Sequence, residues 1–153
     1  MKTFFKDMET ANRKYKYDQV FISQTLDEWI QQAHRYNCQS NKWKYTPLKR
    51  GAYRYDNLAI CLGNILTYIE NRGMSELNVT KLASNVHDGW TENYIYWRDY
   101  TPFVHGVYLK PYNPINDERR NACASMTYEQ LSDEEKEKDL IIARFIFEKI
   151  EDC

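Results

Sequence analysis

The stretch NVTKLASNVHDGWTENYIYW, residues 78–97, decides the fold. Its apolar and aromatic residues recur at every third or fourth position, which is the period of an α-helix that buries one face. The members of this stripe are Val79, Leu82, Ala83, Val86, Trp90, Asn93, Tyr94 and Trp97. The pattern predicts a helix over about residues 75–97 with an aromatic core face.

Three other segments carry helix signals. Thr25 and Glu28 fit a capping box at the start of one helix, and Ser132 and Glu135 fit a second box before the last helix. A third segment ends near Gly73, a natural helix stop. The apolar stripes of the first two helices are Leu26, Trp29, Ile30 and Ala33, then Leu58, Leu62, Ile65, Leu66 and Ile69. We therefore expect an all-α protein with four main helices, arranged as two helix–long loop–helix hairpins packed together.

The hairpins suggest how the chain is divided. Long connections lie at residues 37–53 and 99–130, one in each half. Loops of this length are usually functional or hold short structure of their own. We expect an N-terminal helical hairpin over 1–74 and a second unit over 75–153. The first half is, as a hypothesis, a degenerate copy of the second.

Composition and charge limit the class of protein. The chain has 28% charged and 42% hydrophobic residues, as globular proteins do. Its beginning lacks the apolar core of a signal peptide, and its apolar runs are too short to span a bilayer. The four cysteines form no C-x-x-C pair, so we expect free thiols and a cytoplasmic location, or a host cytoplasm or virion if the chain is viral.

The charge is unevenly divided between the two halves. Residues 1–74 carry 12 Lys and Arg against 7 Asp and Glu, whereas residues 75–153 carry 9 against 15. The halves therefore either attract each other weakly or present different faces to partners.

Signatures of catalysis and metal binding are not found in the sequence. His34, His87 and His105 have no metal-ligand spacing to one another or to a cysteine. There is no G-x-S-x-G and no glycine-rich phosphate loop. We expect no catalytic residue, no metal and no cofactor; a Cys–His nucleophile pair assembled in space is the less favoured alternative.

The second half carries a set of motifs in a defined order. These are a Val-His-x-x-Trp, an acidic/basic segment at 116–123, and a tyrosine that leads into a charged helix. They are carried by Val86, His87, Trp90, Tyr128, Leu131, Ser132, Glu135, Lys136 and Asp139. On these motifs, residues 75–151 resemble the RyR domain, the repeat found in ryanodine receptors and in bacterial, phage and viral proteins. Thr127 replaces the family's proline, and the intervening loop is longer.

The resemblance implies a mostly helical, non-enzymatic module. It implies a small anionic or nucleotide-like ligand, or a protein partner, and it does not imply a membrane. We place the candidate ligand site between the third helix and the long loop. The candidate residues are His87, Tyr96, Arg119, Arg120 and Tyr128.

Helical phase gives the aromatic residues of 85–97 different roles. His87 projects about 100° from its neighbour Val86, at the border of the stripe. A histidine at such a border most often fastens a loop by hydrogen bonding a backbone group or a carboxylate, and ligand contact is the alternative. Trp90 and Tyr94 are expected to face the core, whereas Tyr96 points away.

A basic aromatic segment over residues 35–55 suggests a second function. Cations track phosphates and aromatic faces stack bases, so single-stranded nucleic acid is the alternative partner. The candidate contacts are Lys42, Trp43, Lys44, Tyr45, Arg50 and Arg54. A solvated loop pinned by its aromatics is favoured over this alternative, because a pI of 6.3 gives no overall attraction to polyanions.

A third function belongs to a different class. The chain would be a structural or accessory subunit of a larger assembly, such as a phage or viral particle, with homo-oligomers as one form. Self-association through aromatic surface would distinguish a subunit from a sensor, whose melting temperature rises with a small ligand.

Overall fold

The computed structural model describes residues 24–72, 77–99 and 115–151. Within these ranges all regular structure is helical and no strand occurs, which confirms the all-α prediction. The helices are α1 (Gln24–Ser40), α2 (Tyr53–Arg72), α3 (Val79–Asp99), α4 (Glu118–Ala124) and α5 (Asp133–Glu151), with a 3-10 turn at Tyr128–Gln130. The connection predicted as a long loop over 99–130 thus contains α4 and the 3-10 turn.

The helix ends differ in part from the predicted ones. Thr25 lies inside α1 rather than at its N-cap, since α1 is already helical at Gln24. Asn78 caps α3, because its side-chain oxygen accepts the Lys81 N–H at 2.9 Å. Before α5, the Ser132 hydroxyl accepts the amide N–H three residues later at 3.3 Å, as the second capping box predicts. The expected stop at Gly73 and the start of α3 at residue 75 lie outside the described residues.

The C-terminus of α1 is closed by a left-handed residue. Lys42 has φ of 58°, and its N–H donates to the Gln39 carbonyl at 3.2 Å. The next N–H, that of Trp43, donates to the Cys38 carbonyl at 2.8 Å. These are the two hydrogen bonds of a Schellman motif, with lysine where glycine is the usual residue. The motif fixes the direction in which the chain leaves α1, and so the position of Trp43.

Helix α3 is the centre of the helical packing. Its closest association is with α2, it also packs along α5, and α1 contacts both α2 and α5. One apolar cluster includes residues from α1, α2, α3, the 3-10 turn and α5, so both halves of the chain share a core. Its members include Ile30, Ala33, Leu58, Leu62, Leu82, Val86, Tyr128, Ile142 and Ile146.

Polar groups of buried aromatic and amide side chains join the helices. The Tyr55 hydroxyl of α2 donates to Asp27 of α1 at 2.8 Å. Asn93, the polar member of the α3 stripe, is buried and donates to the Tyr53 carbonyl at 3.2 Å. A buried amide with a backbone partner costs far less than an unpaired one. The Asn93 amide is only half satisfied, because its N–H donates while its Oδ1 is buried without a hydrogen-bond partner among the described residues, so Asn93 joins α3 to α2 at some cost in stability.

The closest approach of α2 and α3 occurs at Gly89. A Cβ at this position would lie 3.1 Å from both Cα and Sγ of Cys61 and 3.2 Å from Nδ2 of Asn64. We expect Gly89→Ala to lower the free energy of unfolding by about 1 kcal/mol, because overpacking outweighs the gain in helix propensity. Urea denaturation measures this change. Cys61→Ala removes the contact with Sγ, so the double variant should lose less stability than the sum of the losses in the two single variants. A Gly89→Ala variant that is more stable than the wild type would contradict the prediction.

No helix in the described part of the chain is both long enough and apolar enough to cross a membrane. The fold of the described residues is a helical assembly about α3, and the short helix α4 packs against α3.

A cationic aromatic cleft as the candidate functional site

A cleft of about 280 Å³ opens between α1 and α2 on one side and α4 and α5 on the other. Polar residues of α1 and α2 line its first wall, and basic residues of α4 and α5 line its second. The residues that define its chemistry are Trp43, Arg54, Trp90, Arg119, Arg120 and Lys138. We call this cavity the cationic cleft. It is assembled from both halves of the chain.

Most of the cations on the cleft wall are held by carboxylates. Glu135 accepts from Arg119 at 2.9 Å and from Lys138 at 3.1 Å, and Asp117 binds Arg120. The salt bridge to Arg119, together with the charge of Glu135, raises the pKa of this guanidinium although burial acts to lower it. Such pairs restrict side-chain motion while leaving part of each cation exposed. Four cations border the cleft, against these two carboxylates and Asp139 on its lining, which leaves an excess of one positive charge.

Arg54 differs from the other cleft cations, because it forms no salt bridge with a described carboxylate. Its guanidinium instead lies 5.5 Å above the centre of the Trp43 ring, a cation–π arrangement. The Trp43 side chain is exposed to 51%, so one aromatic surface remains open beside a cation. This combination suits a ligand that has both a planar ring and a negative charge.

His34 also borders the cleft, on α1. Its Nε2 lies 2.9 Å from the Thr46 carbonyl, which identifies this nitrogen as the donor. Burial lowers the pKa of His34; the hydrogen bond to Thr46 acts in the opposite direction, and the charge of Arg54 lowers the pKa further. His34 is therefore neutral at pH 7 and adds no positive charge to the cleft.

Behind the cleft, four side chains of α3 form a column. The rings of His87 and Trp90 are stacked with centroids 5.8 Å apart, and those of Trp90 and Tyr94 are stacked at 5.1 Å. The Arg98 guanidinium lies 5.6 Å from the centre of the Tyr94 ring. We call these four residues the α3 column. Its first member, His87, is titratable, and its last member, Arg98, is cationic.

His87 is buried, with 3% of its surface exposed, rather than placed at the border of the stripe as its helical phase predicts. Segments distant in sequence cover it. Its Nε2 lies 2.8 Å from the Met126 carbonyl and its Nδ1 lies 3.5 Å from the Asp139 carboxylate. The side chain thus contacts a backbone group and a carboxylate, which are the partners expected for a histidine that fastens a loop.

Hydrogen bonds determine the charge state of His87. Burial acts to lower its pKa, but the hydrogen bonds to Asp139 and to the Met126 carbonyl, with the charges of Asp139 and Asp88, outweigh burial and raise the pKa. Burial raises the pKa of Asp139 in turn, although the His87 imidazolium acts to lower it. The pair is most stable when the imidazole is protonated and the carboxylate is ionised.

The predicted ligand residues lie in different places. Arg119 and Arg120 line the cationic cleft, and His87 borders a smaller cavity of about 80 Å³ that shares Trp90, Arg119, Lys138 and Asp139 with it. Tyr128 is buried in the core beneath Lys136, and Tyr96 packs against a smaller cluster around Tyr94 and Trp97. Neither tyrosine borders either cavity.

Only some of the residues predicted to contact nucleic acid lie at the cationic cleft. Trp43 and Arg54 face the cationic cleft. Lys42 and Lys44 are exposed outside it. Tyr45 lies under Arg35, with the guanidinium 4.5 Å from the ring centre, and Arg50 lies 3.8 Å from Asp27. Lys138 also lines the cleft, although it lies in the charge run 132–139, which by sequence is typical of a solvated helix start.

The thiols of the described residues do not suggest a nucleophile. Cys38, Cys61 and Cys123 are free and buried. Cys38 Sγ lies 3.6 Å from His34 Nε2, which donates to the Thr46 carbonyl, and 3.9 Å from His34 Nδ1, but the thiol is buried and a substrate does not reach it in this structure. Among the described residues no group of three or more metal-ligating side chains occurs. Cys153 and His105 lie outside these residues.

Comparisons with protein-family models, with curated proteins and with solved structures find no match for this chain.

Proposed function

We propose that this protein is a non-catalytic binding module that holds a small, anionic, aromatic ligand of the nucleotide-like class in the cationic cleft. The observation that carries the proposal is the assembly of Arg54, Arg119, Arg120 and Lys138 around two tryptophans in one cavity. Arginine forks recognise phosphate or carboxylate oxygens in pairs, and a tryptophan face stacks a planar ring. Binding needs both, and no bond has to be broken.

The size and character of the cleft fit this class of ligand. Pockets for small molecules are about 300–1,000 Å³, combine aromatic surface with a few placed polar groups, and often lie between structural units. A cavity of about 280 Å³ is at the lower limit, which favours a mononucleotide-sized ligand over a larger one.

The RyR resemblance supports the same proposal from the sequence. Its motif residues His87 and Asp139 are in contact, and Trp90 forms part of the cleft wall. We propose the second half as an RyR-like unit over about 75–151, in a two-hairpin organisation with the first half. The free thiols of the described residues support the proposal of a reducing, cytoplasmic location.

Nucleic-acid binding through the 35–55 segment makes different demands. A strand needs stacking faces and cations that continue along the surface. Here Trp43 and Arg54 border a single cleft together with cations of α4 and α5, so they serve a compact ligand better than a strand. Lys42 and Lys44 are exposed outside the cleft. Their substitution should therefore weaken binding of a nucleic acid but not binding of a ligand in the cleft.

A thermal-shift screen against nucleotides and nucleotide-derived second messengers tests the proposal. A ligand at a hundred times its Kd stabilises the folded state by about 2.7 kcal/mol, which raises the melting temperature by several degrees. We expect Arg54→Ala to weaken binding of the best ligand by about tenfold or more, because a charged hydrogen bond and a ring contact are lost.

Arg35→Ala is the matched control for this substitution. Arg35 also stacks on an aromatic ring, that of Tyr45, but it does not border the cleft. Its removal should leave the Kd within about twofold. Equal losses in both variants, or weakening by Lys42→Ala and Lys44→Ala with a steep dependence on salt, would instead indicate nucleic acid. Absence of any shift in the screen would contradict the proposal.

A further inference from the structure

Helix α4 delivers Arg119 and Arg120 to the cationic cleft, yet it has only seven residues. A helix of this length is not stable alone in water, so its position depends on contacts with other elements. Asp117 caps its first turn by accepting the Arg120 N–H at 2.8 Å. This cap orders the helix locally but does not attach it to the rest of the fold.

The α3 column holds α4 from two sides. In the middle of α4, Asn121 accepts the Tyr94 hydroxyl at 2.7 Å and Arg98 Nη1 at 3.0 Å. Two residues after α4 ends, the Met126 carbonyl lies 2.8 Å from His87 Nε2. The contact with His87 thus holds the turn that follows α4, six residues after Arg120, and it depends on the protons of the imidazole ring.

Both partners of the His87 ring are hydrogen-bond acceptors. The Met126 carbonyl faces one nitrogen, and the Asp139 carboxylate faces the other. A neutral imidazole carries one N–H and can donate to only one of them, whereas the imidazolium donates to both. Loss of one proton therefore removes either the hydrogen bond to the turn after α4 or the ion pair to α5.

The charges around His87 come from three elements. Helix α3 contributes Asp88, whose charge favours the imidazolium. Helices α4 and α5 supply the other titratable groups of the adjoining small cavity, which are Arg119, Cys123, Glu135, Lys138 and Asp139. Glu135 is already paired with Arg119 and Lys138, so Asp139 is the carboxylate that responds to the charge on His87.

We infer that His87 is a positioning residue of the cationic cleft: its doubly protonated ring fastens the turn after α4 to α3 and α5, and loss of one ring proton weakens the hold of Arg119 and Arg120 on an anion. The inference rests on the proposed function. The affinity of the cleft for an anion would then depend on pH even when the charge of the ligand itself does not change.

The direction of this dependence follows from the raised pKa of His87. The imidazolium is fully populated in the folded protein below its ordinary value of 6.5, and it is lost as the pH rises through the raised value. Affinity for an anion should therefore be high in mild acid and should fall on the alkaline side. His34 titrates at lower pH than His87, because burial lowers its pKa, so its change of charge does not fall on the alkaline side.

The probe is naphthalene disulfonate, which combines a planar ring with sulfonates that do not titrate in the range used. Calorimetric titration of the full chain at about pH 6 and at about pH 9 should give Kd values that differ by at least about fivefold, with weaker binding at the higher pH. His87→Gln should bind weakly at both values, with a ratio near one. His34→Gln should keep the wild-type ratio, whatever its affinity.

A second measurement separates positioning from general stability. Hydrogen exchange of residues 118–126 without ligand, corrected for intrinsic rates, should increase at the higher pH in the wild type and be the same at both pH values in His87→Gln. If His87→Gln does not fold, Asp139→Asn takes its place, since it should also bring the ratio of the two Kd values near one.

Failure of the probe to bind at either pH would overturn the proposed function and, with it, this inference. Binding with an equal ratio in wild type and His87→Gln, or exchange at α4 that is independent of pH, would overturn the inference alone.

Discussion

Replacing Tyr94 with alanine should lower the free energy of unfolding by about 4 kcal/mol, the range found for deletion of a large buried aromatic side chain. Tyr94 is completely buried, stacks on Trp90 and donates its hydroxyl to Asn121 of α4. Alanine would leave a cavity in the α3 column and remove a hydrogen bond that attaches α4 to α3. Urea denaturation followed by circular dichroism measures the loss.

Tyr94→Phe is the matched control, because it keeps the ring and removes only the hydroxyl. We expect it to cost about 1–2 kcal/mol, since Asn121 still accepts from Arg98. A cost of less than about 1 kcal/mol for Tyr94→Ala would show that the column is not part of the stable core.

Asp139→Asn should have the second largest effect, a loss of about 3 kcal/mol near pH 6. Asp139 is buried and faces His87 Nδ1 at 3.5 Å, so the substitution leaves a buried imidazolium without its counter-charge. Removal of one partner of a buried pair costs more than the pair itself contributes. Chemical denaturation at a series of pH values measures both the loss and its pH dependence.

The pH dependence has a defined sign. The pKa of His87 is raised, so its contribution to stability is complete below 6.5 and is lost as the pH rises through the raised value. Asp139 also has a raised pKa, so above that value its ionisation opposes folding unless the imidazolium is present. The loss caused by Asp139→Asn should therefore decrease between about pH 6 and about pH 9.

Asp88→Asn provides a control with the same change in charge beside the same histidine. Asp88 is exposed, so its removal should cost less than about 0.5 kcal/mol. A loss for Asp139→Asn that grows with pH would contradict the assignment of His87 as the imidazolium partner.

The period of the α3 stripe was sufficient to predict a helix and its buried face. Val86, Tyr94 and Trp97 are buried as the pattern indicates, because an amphipathic period reports local geometry directly. His87 differs, since the groups that bury it are Met126 and Asp139, which lie far along the chain. Burial by distant segments leaves no periodic signal around the residue itself.

The cationic cleft was only partly predictable for the same reason. The family resemblance points to Arg119 and Arg120, whereas the basic aromatic pattern of residues 35–55 assigns Trp43 and Arg54 to nucleic acid. Only the packing of α2, α4 and α5 against α3, with α1 contacting α2 and α5, brings the two sets together. Helix α4 itself was missed because seven residues are too few to establish a helical period, although Asp117 before "ERRNACA" is a residue suited to an N-cap.

The core shared by both halves makes the cleft a property of the joined chain. If the chain were cut between residues 72 and 77 and the two pieces were produced separately, neither piece would contain the set of cations and rings around the cavity. Mixing them would rebuild the cavity only as the fragments reassociate. A ligand that binds the cleft would favour reassociation of the two fragments. The ligand concentration at which half of the fragments are reassociated would then report its affinity.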